Sequence, residues 1–159
     1  MSTRANHFKT IPVLIKTLGD ASMALGKSSL DKKLRHLVDI RASQLNHCAF
    51  CLDMHVKEAK LHGEGELRLH HVAIWRESPL FSAKEKAALA LTEALTCISD
   101  RGVNEALYSE LREHFSEVEI SELTFSIAMI NAWNRLQILS RMVPGALDSA
   151  YGLDRADLR

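Results

Sequence analysis

The sequence predicts an all-α, single-domain protein, and three observations carry that prediction. Strand-like alternation is absent along the chain, while apolar residues recur at helical spacing. Gly (7) and Pro (3) are sparse, so few segments are forced to turn. Two Ser-x-x-Glu capping boxes, Ser82–Glu85 and Ser116–Glu119, each stand before an apolar run. At 159 residues the chain fits one domain and is long enough to bury a real core.

Taken in order, residues 11–25 form a first, weak helix, broken by Gly19. Ser29 is placed to cap a helix from Leu30 to about Asn46, where Leu34, Leu37, Val38, Ala42 and Leu45 make one apolar stripe. A third helix runs from about Cys48 to His62, with Gly63 as its C-terminal stop. Residues 66–76 give a short fourth. The Ser82 box opens a helix through AALALTEALTCI, and residues 104–115 form another short one. The Ser116 box opens the longest helix, which reaches about Met142 before Pro144-Gly145 stops it. The polar tail GLDRADLR is expected to fray. The expected total is about six to eight helices, with no linker, repeat or low-complexity tract.

Twenty basic side chains balance twenty acidic ones. Neutrality provides no long-range attraction to nucleic acid or to an anionic membrane, and it permits self-association. Residues 1–10 lack the apolar stretch of a secretory signal. The apolar region 118–142 is interrupted by Glu122, Asn131, Asn134, Arg135 and Gln137, which argues against a membrane span. The expected compartment is the cytoplasm, where a Cys-x-x-Cys is more often catalytic or metal-binding than a structural staple.

The stretch NHCAFCLDMH, residues 46–55, concentrates the chemistry. With Cys48 at zero and 100° per residue, Cys51 falls near 300° and His55 near 340°, on one helix face. Ala49, Leu52, Val56 and Ala59 lie beside them as the core face, so the thiols are expected to be partly shielded but reachable. Phe50, Met54 and Leu61 form a second apolar strip, as in a helix packed on two sides. Both cysteines occupy the first turn, where free N–H groups and the helix dipole favour a thiolate. His55 is one turn after Cys51 and can relay its proton. Thiols at i, i+3 can also close a disulfide. Redox cycling fits this set best. Zinc and inert packing are the alternatives, and a structural zinc site lacks its usual fourth ligand here, since His62 is about 21 Å along the helix from Cys48.

Other residues read more plainly. Cys97 is expected to be a small buried hydrophobe. His70 and His71 point different ways, one to the surface and one to an edge. His47 reads as a solvated turn residue, and Glu93 as a solvated carboxylate. Asn131, Asn134 and Arg135 form a polar stripe that must face an interface, a polar cavity or another helix's backbone. Trp133 packs in the core or an interface.

RASQLNHCAFCLDMHVKEAK (41–60) resembles the core motif of the alkylhydroperoxidase D-like (AhpD-like) family, within the carboxymuconolactone decarboxylase superfamily. The likeness continues through FSAKEKAALALTEALT (81–96) and INAWNRLQI (130–138). It implies an N-terminal helical segment over 1–29, an AhpD-like helical bundle over 30–142 and a tail over 143–159, assembled as a trimer or hexamer. It also implies a thiol peroxidase or disulfide oxidoreductase that takes a hydroperoxide and is recycled by a dithiol or protein reductant. No cofactor and no resident metal are expected. By motif position, Cys51 attacks, Cys48 resolves, and His55 belongs to the proton relay. The family's relay often begins with a glutamate twelve residues before the first cysteine, and His36 stands there. Phe50 replaces a histidine that some members carry between the cysteines. Those departures keep two further readings open: a redox-sensing binding protein with little turnover, and a carboxymuconolactone decarboxylase-like enzyme.

Overall fold

The fold is that of a computed structural model, which describes residues 4–100 and 102–156. The described residues form nine α-helices and two short 3-10 turns, with no strand. Seven helices have six residues or more, within the expected number. They are α1 (His7–Thr10), α2 (Pro12–Leu25), α3 (Lys32–Leu45), α4 (Ala49–Leu61), α5 (Glu66–His71), α6 (Ala83–Thr96), α7 (Glu105–His114), α8 (Glu117–Ser140) and α9 (Asp148–Tyr151). The 3-10 turns are Val72–Ile74, after α5, and Leu153–Ala156, after α9.

Local sequence explains most boundaries. Both capping boxes close in both directions: Glu85 N–H donates to Ser82 Oγ (3.2 Å) and Ser82 N–H to Glu85 Oε2 (2.7 Å). The Ser116–Glu119 pair repeats this at 3.2 and 2.8 Å. Gly63, at φ 79°, ends α4. Its N–H reaches the Lys60 carbonyl, and the Glu64 N–H reaches that of Ala59, two bonds that satisfy the helix's last carbonyls.

Four boundary expectations are corrected. Asp31, not Ser29, caps α3, accepting from Leu34 N–H at 3.0 Å, while Ser29 Oγ donates to Glu122. Gly19 does not break α2, because one glycine costs only about 1 kcal/mol in a helix interior. Arg141, in the left-handed conformation (φ 53°), ends α8 before Pro144 is reached. The tail does not fray over its described part. α9 and the last 3-10 turn fold back on α4, burying Leu153 and Ala156. Lys57 fixes that return through Asp53 (2.8 Å) and Asp148 (2.6 Å).

The core lies in three clusters. Leu34, Val38, Ala88, Leu111, Leu123 and Ile127 join α3, α6, α7 and α8. Leu37, Ile40, Ala59, Leu69, Val72, Trp75, Phe81 and Leu89 join α3, α4 and α6 with α5 and its 3-10 extension. Ala42, Cys48, Phe50, Cys51 and Ile130 join α3, α4 and α8. Helix α4 therefore packs on both sides along most of its two apolar strips, although Ala49 and Leu61, expected in them, are exposed at the two ends of the helix. Ala59, Leu52 and Val56 face the second cluster; Phe50 and Met54 face the third. This arrangement holds the cysteine turn between α3 and α8.

Candidate active site

The chain reaches the cysteine turn through His47, exposed and at φ 57°, a left-handed turn position. Cys48 is the N-cap of α4, and its sulfur accepts from Cys51 N–H at 3.3 Å. Cys51 is thus the third helical residue, and the positive end of the helix dipole acts on both sulfurs, with the Cys51 N–H bond going to Cys48. The two are joined as a disulfide with Cα atoms 5.4 Å apart, within the usual range for such a bond.

The thiol positions are more enclosed than the helical wheel indicates. Cys48 is 2% and Cys51 3% exposed, among Ala42, Phe50 and Ile130 with Met54, Met142 and Leu147 packed around them. The wheel placed them at the margin of the stripe. It could not see that α8 and the segment after it close over that margin.

A polar network across α3 and α8 positions the turn. Asn46, the C-cap of α3, donates through Nδ2 to Asn131 Oδ1 (2.9 Å) and Asn134 Oδ1 (2.8 Å). Asn134 Nδ2 donates to Ser43 Oγ (3.2 Å), and Asn131 Nδ2 to Thr96 Oγ1 (3.0 Å). The polar stripe on α8 therefore faces side chains of α3 and α6. Trp133 points elsewhere and donates through Nε1 to Ser22 on α2.

Beyond the sulfurs lies a cluster of imidazoles and carboxylates. His55 Nδ1 is 2.7 Å from Glu58 Oε2 and 3.9 Å from Asp39 Oδ2. Burial alone would lower the His55 pKa, but Asp39 and Glu58 outweigh it and raise it. Burial would raise Glu58, yet the His55 bond and the surrounding imidazoles hold it below the ordinary carboxylate value. An ionised Glu58 only accepts, so His55 Nδ1–H donates to it. Burial pushes Asp39 up to about 6 and, against the pull of Glu58, His36 down to about 4. His36 is buried and neutral, stacked on His62 with Nε2 2.9 Å from His62 Nδ1. His62 Nδ1 also lies 2.9 Å from the Glu58 carbonyl. The structure thus brings His36 and His55 into one cluster with Asp39 and Glu58, which the sequence reasoning missed, and with His62, which it weighed only as a ligand beside the cysteines. The signal was present: His36 and Asp39 on α3, like His55 and Glu58 on α4, are i, i+3 pairs that share a face.

The remaining candidates resolve plainly. Cys97 is exposed rather than buried, because α6 ends at Thr96 and leaves it at the C-cap. Glu93 is not a solvated carboxylate. It accepts from Trp75 Nε1 and Arg41 Nε, each at 2.8 Å, and pairs with Arg76, and these partners, against burial, depress its pKa. His70 is exposed, and His71 Nδ1 sits 3.0 Å from Ser78 Oγ.

An all-helical bundle with a Cys-x-x-Cys capping one helix, and an imidazole a turn later, defines an AhpD-like protein. A family model described as the carboxymuconolactone decarboxylase family matches residues 13–94. The uncharacterized protein YdfG of Bacillus subtilis (strain 168) is 39% identical over 138 residues, 87% of this chain and 94% of its own length. The chain therefore belongs to the carboxymuconolactone decarboxylase family. A solved protein of unknown function from Agrobacterium tumefaciens, provisionally assigned to antioxidant defence as AhpD, superposes with a TM-score of 0.87 at 36% identity. That match covers 91% of this chain and 99% of the other. The ligand-free debrominase Bmp8 shares the fold at 19% identity, with a TM-score of 0.75 over 92% of this chain and 78% of its own. No helix among the described residues is long and apolar enough to cross a membrane.

Proposed function

We propose that the protein is a cytoplasmic, cofactor-free thiol peroxidase that reduces hydroperoxides through the Cys48–Cys51 pair. The observation that carries this reading is the disulfide within the first turn of α4, with His55 one turn beyond it. By its position in the family motif, Cys51 is the attacking thiol. Its proton leaves through His55, whose cation Glu58 and Asp39 stabilise, with His36 in the place of the family's relay glutamate. The thiolate attacks the peroxide: an S–O bond forms, the O–O bond breaks, and the alkoxide takes the proton back through His55 to leave as an alcohol. Cys48 then displaces the hydroxyl from the Cys51 sulfenic acid, forming the disulfide and releasing water. An external dithiol or protein reductant supplies two electrons and two protons to restore both thiols.

The assembly proposed is a homo-oligomer, a trimer or hexamer. Exposed Val13, Leu14 and Met23 on α2, and Phe125, Ile138 and Leu139 on α8, support self-association.

The test is stopped-flow oxidation of the reduced protein by several hydroperoxides, with thiols counted before and after. Wild type should lose two thiols and turn over when a dithiol is added. Cys51→Ser should abolish peroxide consumption, and Cys48→Ser should leave a trapped sulfenate or mixed disulfide. Equal residual turnover in both variants would refute the assignment. Loss of two thiols with a change of assembly mass but no turnover would replace the enzyme with a redox sensor.

A further inference from the structure

We propose that His36, Asp39 and His55 form a binding site for a divalent transition-metal ion of the zinc type, with Glu58 holding His55 at its edge. Two facing helices each present a histidine and an acid three residues apart. His36-Leu-Val-Asp39 lies on α3, and His55-Val-Lys-Glu58 on α4. Each pair lies on one helix face, and α3 and α4 pack against one another.

One ligand atom from each of His36, Asp39 and His55 lies within 4.8 Å of the others. In a tetrahedral site with bonds of about 2.0–2.2 Å, neighbouring ligand atoms stand about 3.4 Å apart. The set therefore has to contract by side-chain rotation to hold an ion. Glu58 Oε2 is 2.7 Å from His55 Nδ1, beside the set rather than within it.

A second observation is independent of that clustering. His36 is only 6% exposed, and its Nδ1 is buried without any hydrogen-bond partner. A buried polar nitrogen left unpaired costs about 1–3 kcal/mol, and coordination is one way to satisfy it. Its other nitrogen, Nε2, lies 2.9 Å from His62 Nδ1 and donates to it in the tautomer that leaves Nδ1 free to coordinate. Such outer contacts orient the imidazoles of metal sites. Arg35 is the nearby opposing charge, felt at all three residues, and its Nη1 donates to the Leu25 carbonyl. Two imidazoles with one carboxylate suit zinc, cobalt or iron(II), whereas magnesium and calcium take oxygen ligands. An ion there takes His55 out of the relay, so metal occupancy and thiol turnover exclude one another. That consequence rests on the function proposed above; the binding site does not.

The test uses the full chain in its disulfide form, so that Cys48 and Cys51 cannot ligate. The protein is stripped with chelator and titrated with Zn²⁺ by calorimetry and with Co²⁺ by visible absorption. The expected result is one ion per chain with micromolar or tighter affinity. The Co²⁺ spectrum should lack sulfur charge-transfer bands and persist in a Cys48→Ser/Cys51→Ser variant. Asp39→Asn and Glu58→Gln should each weaken binding at least tenfold while retaining helical circular dichroism. If Asp39→Asn misfolds, Glu58→Gln and the double serine variant decide. No saturable binding by the oxidised protein, or a signal that disappears with the cysteines, would overturn the site.

Discussion

Asn134 is the residue whose replacement best separates the packing of the cysteine turn from its chemistry. It is 0% exposed and makes two side-chain hydrogen bonds, accepting from Asn46 Nδ2 at 2.8 Å and donating to Ser43 Oγ at 3.2 Å. Asn134→Ala removes both, at about 1 kcal/mol net each. Asn46 keeps its bond to Asn131. Buried Ser43 loses this partner, which adds about 1 kcal/mol or more. The expected destabilisation is about 3 kcal/mol, or a fall in Tm of roughly 6–12 °C for a chain of this size. It should be measured by urea unfolding at fixed protein concentration, because association shifts apparent stability. Asn46 closes α3 two residues before Cys48, so the reduced variant should also react faster with a small disulfide reagent. A loss below about 1 kcal/mol, with thiol reactivity unchanged, would refute the claim that this network holds the turn.

Other outcomes follow from the same geometry. Met142→Ala and Leu147→Ala open the packing around the sulfurs and should speed oxidation of the reduced dithiol several-fold; unchanged rates would mean that access lies elsewhere. Leu153→Ala should cost about 2–4 kcal/mol in chemical unfolding, since its buried side chain seats the returning tail; an effect within error would mean that the tail contributes nothing. Glu93 has a folded pKa below its ordinary 4.5, so its contribution is full above that value and is lost as pH falls through the folded pKa. Glu93→Gln should therefore flatten the acid limb of the stability–pH curve; an identical limb would contradict the role of the Arg41–Trp75–Arg76 cluster.

Much of the architecture was legible because it is written locally. Capping boxes at Ser82 and Ser116, the stop at Gly63 and the two apolar strips of α4 each depend on residues within a turn or two of one another. The misses share one cause. Ser29 and Asp31 are both competent caps, and only the contact with Glu122 on α8 diverts Ser29. Glu93 looked solvated because Arg41, Trp75 and Arg76 come from other elements. The tail looked frayed because Lys57, Asp53 and the buried seat of Leu153 lie roughly a hundred residues earlier in the chain.

The sequence by itself determined an all-helical chain and put two sulfurs and an imidazole on one face, because a helix converts spacing into direction. Only the tertiary structure decided how deeply those sulfurs are covered and which charges surround His55. Burial and electrostatics are set by side chains that arrive from distant helices, α3, α8 and the returning tail. No periodicity within α4 encodes what will be packed against it.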